Sequence, residues 1–126
     1  MATVQPTVQF TDPNMATKLV TWVLTNTGDI GAPFKLDRWA VTSFQLCVNA
    51  PTALAINGSN DSPDAAPTNF AALSDWAGAS LGALAALGFK TPRDMPLWIT
   101  PTLTTQGAGP TTVKCLCHRT DMGATN

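Results

Sequence analysis

From Lys18 onward the chain alternates, with Leu19, Thr21, Val23 and Thr25 on one side and Val20, Trp22 and Leu24 on the other. This period-two pattern is that of a strand with one buried face, here the Trp22 face. It closes at the turn Asn26-Thr27-Gly28-Asp29 and, after the bend Gly31-Ala32-Pro33-Phe34, resumes over Trp39 to Val48 with Val41, Phe44, Leu46 and Val48 as its apolar positions. A shorter run, Ala53 to Asn57, offers Leu54 and Ile56, and the turn formers of Asn57 to Asp64 separate it from a further run at Asn69 to Leu73, which predicts a hairpin with a long tip. Met95 to Thr105 alternates Leu97, Ile99 and Leu103 against Trp98, Thr100 and Thr102, with Pro101 predicting an edge strand or a bulge. The turn Gly107-Ala108-Gly109-Pro110 leads into a last strand, Thr111 to His118. Leu81, Leu84 and Leu87 could form a helical stripe within residues 79–89, but Gly82 and Gly88 weaken it, so one short helix and an irregular strand fit equally well.

Short strands spaced by turn signals predict a single-domain, all-β sandwich, jelly-roll-like, with at most one short helix. Residues 1–17, with Pro6, Pro13 and little to bury, predict an extended N-terminal arm. The sandwich domain is expected over residues 18–120, and a C-terminal tail over 121–126. A chain of 126 residues has room for one core.

Composition reinforces this picture. All eight acidic residues are Asp, the acid of turns and caps, and Glu, the acid favoured in helices, is absent. Only 12% of residues are charged, so much of the surface is uncharged, which suits a protein held against partners. The seven basic residues are scattered and the net charge is −1, which argues against nucleic acid as a ligand. No stretch approaches the roughly 18 apolar residues of a membrane-spanning helix, and no basic segment precedes an apolar run near Met1. The expectation is a soluble protein made in the cytosol.

Candidate chemistry is sparse. Cys115 and Cys117 would share one face of a strand while His118 points to the other. With Cys47 the only other cysteine, reduced structural thiols fit better than a metal site or a nucleophile pair. Asn57, Asn60, Asp61 and Asp64 share the composition of a calcium loop without its order, and a turn built on side-chain hydrogen bonds is preferred. No catalytic motif, cofactor or metal is assigned. Four tryptophans are many for this length; most should fill the core, and Trp39 and Trp76, beside turns, are the candidates for exposure.

The order of motifs resembles a family of small tailed-phage capsid decoration, or cement, proteins. The residues that carry it are Gly28-Asp29-Ile30-Gly31-Ala32-Pro33-Phe34, Ile56 to Asp61, Ala72-Leu73-Ser74-Asp75-Trp76, Pro96 to Pro101 and Gly107 to Val113. In that family they read G-D-x-G-A-P-F, G-S-N-D-G, W-x-x-L, Y-I-R-P and a glycine turn. This sequence departs at Ser62-Pro63-Asp64, at Trp98 where Tyr is usual and at Thr100 where Arg is usual. The resemblance implies a jelly roll without enzymatic activity, on the outside of the phage head, with the major capsid protein as partner and a homo-oligomeric state, dimer or trimer. Val4, Val8, Phe10, Phe34, Trp39, Asn60 and Trp76 are the candidate capsid or subunit contacts. The strand-G-S-N-D turn also recurs in discoidin-like carbohydrate-binding sandwiches; the alternative function is a carbohydrate- or receptor-binding module of a tail fibre or baseplate, which predicts Trp39 or Trp76 exposed in a groove.

Overall fold

The computed structural model describes residues 2–120. The tail assigned to 121–126 lies outside them. Among the described residues there are eleven strands and no helix. They are β1 (Thr3–Val4), β2 (Thr7–Phe10), β3 (Thr17–Leu24), β4 (Ile30–Gly31), β5 (Phe34–Lys35) and β6 (Trp39–Val48). β7 (Ala53–Ser59), β8 (Ala71–Ala72), β9 (Gly88–Lys90), β10 (Trp98–Thr105) and β11 (Thr111–Arg119) complete the set.

Two sheets pack face to face. One runs β2-β3-β11-β6-β9; the other runs β1-β4-β10-β7-β8, with β5 also on β10. The β3, β6, β9 and β11 strands lie in the first sheet, β4/β5, β7, β8 and β10 in the second, and the chain crosses repeatedly between them, as in a jelly roll. Alternation along β3 buries Val20, Trp22 and Leu24, as its pattern predicts, against Leu54, Ile56, Ile99 and Leu103 of the facing sheet. On β6 the parity changes midway: Val41, then Phe44 and Leu46, are buried because the register on β11 shifts beside Thr42. A bulge there keeps apolar side chains inward on both sides of it.

Pro101 is not at an edge. β10 pairs with β7 on one side and with β4 and β5 on the other, which makes it a central strand. The proline is tolerated because its neighbour is broken. Leu36 donates to Leu97 O and Leu103 N donates to Asp29 O, so the odd-numbered residues of β10 face β4 and β5, and Pro101 meets the gap between them. Carbonyls at the gap take side-chain donors instead: Thr100 Oγ1 bonds Gly31 O, and Trp22 Nε1 donates to Ala32 O at 3.2 Å. A side chain at Gly31 would meet Pro101 and Trp22, with a Cβ 2.6 Å from Pro101 Cδ.

Residues 79–87 form no helix. Leu81 and Leu84 bond across to Ile56 and Leu54, while Leu87 is exposed, so the three leucines do not form one stripe.

The hairpin with the long tip is present, with Asn57 opposite Ala72 and Gly58 opposite Ala71. Its tip folds back over the outer face of the second sheet. Trp98 Nε1 donates to Ser62 O at 2.7 Å, Lys35 Nζ to Pro63 O at 2.6 Å and Leu97 N to Asn60 Oδ1 at 2.6 Å. Ser62 and Pro63 of the tip are thus held by Trp98 and Lys35 of the neighbouring strands.

Candidate functional site

Residues 3–10 are extended, and they are built into both sheets of their own chain. β1 runs parallel to β4, with Ala32 N donating to Val4 O, and β2 runs antiparallel to β3. Two aspartates fasten the segment. Asp29, nearly buried, accepts from Ala2 N through Oδ1 and from Thr25 N and Asn26 N through Oδ2, so one carboxylate ties the start of the chain to the turn after β3. The Asn26 N–H leads in holding this carboxyl below the usual aspartate range, and with Thr25, Ala2 and the positive N-terminus it outweighs the opposing effect of burial. Asp12 closes the β2–β3 hairpin by accepting from Ala16 N and Thr17 N.

At the end of β2 an aromatic cluster surrounds a lysine. Phe10 lies opposite Lys18, on the inward side of the sheet. The Lys18 ammonium sits 4.0 Å from the centre of the Trp39 ring and 4.5 Å from that of Phe34, while Trp39 also meets Phe10 at 6.1 Å. Burial lowers the Lys18 pKa against the opposing pull of Cys117, Asp37 and Cys115. Behind it, the Cys115 and Cys117 thiols are 3.6 Å apart and unbridged, and burial pushes Cys115 well up. His118 points the other way, its Nδ1 3.0 Å from Thr42 Oγ1. Among the described residues no three His, Cys or Asp side chains converge on a metal-sized site.

The candidate contacts divide by position. Val4, Phe34 and Trp39 pack partly buried against the core. Asn60 braces the hairpin tip. Val8 and Phe10 are exposed along β2, with Phe10 at 50%, and Trp76 is exposed at 71%. Sequence reasoning missed Phe89, 66% exposed on β9, which with Trp76, Asp75, Ala77, Lys90 and Thr91 lines a shallow groove of about 300 Å³. Its signal was a large aromatic residue beside Gly88, just outside the supposed leucine stripe. β2 and β9 are opposite edges of one five-stranded sheet. At the usual strand spacing the two apolar rims are about 19 Å apart.

A second groove, about 430 Å³, runs between the hairpin tip and Asp94 and includes Asp61, Phe70 and Pro96. Its carboxylates already have partners. Asp61 accepts from Thr68 N, Asn69 N and Asn69 Nδ2, and Asp94 accepts from Ser74 N. Burial acts to raise the Asp61 pKa, but the Asn69, Thr68 and Ser59 hydrogen bonds win and lower it.

No protein-family model matches the chain, and no curated protein matches it significantly.

Proposed function

We propose that the chain is a structural virion protein that decorates the outer surface of a phage head, contacts the major capsid protein and stabilises the expanded shell. The observation that carries this reading is the pair of exposed apolar rims, Val8 with Phe10 and Trp76 with Phe89, at opposite edges of one sheet. A free monomer gains nothing from such rims, whereas a bridge between neighbouring subunits buries both. The motif order of the resembling family supplies the capsid as partner. Binding only to the expanded lattice would shift the shell toward that state by mass action. The test is addition of the purified protein to expanded heads assembled from the major capsid protein of the phage that carries this sequence. Saturable binding with raised resistance to heat or chelator is expected; no binding would overturn the proposal.

A second reading, a tail-fibre or baseplate module, is favoured by one observation: Trp76 and Phe89 flank an open groove with Asp75 and Lys90, an arrangement that can stack a sugar ring. Saccharide binding by the isolated protein, lost in Trp76→Ala, would support it.

A further inference from the structure

We propose that β2 pairs antiparallel with β2 of a second copy across a twofold axis, joining two five-stranded sheets into one. Thr11 N donates to Thr17 O, and the register Thr7↔Thr21, Val8↔Val20, Gln9↔Leu19, Phe10↔Lys18 continues from that pair. Hydrogen-bonded pairs alternate in an antiparallel ladder, so Thr7 and Gln9 direct their N–H and C=O groups to β3, while Val8 and Phe10 direct theirs away from the sheet.

Pro6 lacks an N–H and ends the usable edge on one side, and the Asp12 turn ends it on the other. Two residues remain, each with one donor and one acceptor. One antiparallel register uses all of them, with Val8 opposite Phe10 of the second copy, Phe10 opposite its Val8, and Gln9 on the axis opposite its counterpart. That register makes four backbone hydrogen bonds, packs each exposed valine beside a phenylalanine already seated against Trp39, and opposes no like charges, since Thr7 to Thr11 carry none.

The remaining edges are less suited. β1 and β8 have two residues each, and β9 has three and carries Lys90. An unprotected, uncharged edge with exposed apolar side chains otherwise invites uncontrolled association, and self-pairing with a fixed register closes it.

This inference takes up the Val8 and Phe10 rim of the function proposed above, but its test needs no capsid, so either can fail alone. In a Cys47→Ser background, Gln9→Cys places two thiols in a non-hydrogen-bonded pair, where Cα atoms lie about 4.5 Å apart and a disulfide fits. Mild glutathione oxidation of the purified protein should give mostly covalent dimer. Thr7→Cys and Thr11→Cys, which face each other in the same register, should cross-link when mixed and not when oxidised separately. Val8→Pro removes an outward N–H and leaves the β3 ladder intact, so Gln9→Cys with Val8→Pro should keep its thermal midpoint and lose the cross-link. Monomeric Gln9→Cys after oxidation, a yield unchanged by Val8→Pro, or a trimer by sedimentation would each overturn the pairing.

Discussion

At the scale of single residues, two positions sit in local conflict with their surroundings. Val48 ends β6 with φ 76° and is 71% exposed, so a β-branched side chain occupies left-handed backbone and buries little in return. Val48→Gly should raise stability by about 1 kcal/mol, the relieved strain exceeding the entropy cost of glycine; chemical denaturation would measure it, and a loss would show the strain to be absent. Lys18 is the second. Its pKa is lowered because burial outweighs the pull of Cys117, Asp37 and Cys115. Lys18→Met should therefore match or exceed the wild-type melting temperature at pH 7. The wild type should then gain on the variant as pH rises toward the ordinary lysine range near about 10.4, because the folded state releases the proton more readily. The alternation of β3 places Lys18 on the buried Trp22 face, but its residue type masks this, and it is Trp39 and Phe34 that cover it.

At the scale of elements, β3 and β11 were legible because their periodicity equals their burial, and the all-β sandwich followed from them. Of the two outcomes that Pro101 predicts, the edge strand fails and the irregularity holds: β10 is central, its register on β7 shifts between Leu103 and Thr105, and the gap between β4 and β5 that accommodates the proline is set by Ala32 and Pro33 far away in sequence. The β6 bulge at Thr42 was invisible for a similar reason: only the mismatch with β11 reveals it. The placement of residues 3–10 was illegible too, because their alternation is weak and Asp29, which anchors them, reads as an ordinary turn residue. That anchor makes a pH prediction. The Asp29 pKa is depressed in the folded state, so its stabilisation is present above the ordinary aspartate value near about 3.9 and is lost as pH falls through the lower folded value. Asp29→Asn should lower the melting temperature at pH 6, and the difference from wild type should shrink on acidification below pH 4; a gap independent of pH would mean the carboxylate charge is not involved. Removing residues 2–17 outright would also uncover β3 and the core beside Val4, so point variants are the cleaner probes of the segment's surface role.

For the whole molecule, the candidate site was partly legible: Val8, Phe10 and Trp76 lie exposed, whereas Val4, Phe34 and Trp39 lean on the core and Asn60 holds a loop. What residue type could not give was distance, and the separation of the two rims on one rigid sheet is what suggests a bridge. If the Trp76 rim meets the capsid, Trp76→Ala should weaken binding to heads by ten-fold or more, as truncating an aromatic anchor of about 2 kcal/mol does, with the fold unchanged by circular dichroism; unaltered affinity would place the contact elsewhere. The unequal surroundings of the tryptophans also make the protein its own optical gauge. Trp22 is sealed and hydrogen-bonded, whereas Trp76 stands in water. Emission from Trp76 should shift to the blue and escape quenching by acrylamide when a partner covers it, while the contribution of Trp22 changes only when the two sheets separate. Docking and unfolding can then be followed separately, without an added label.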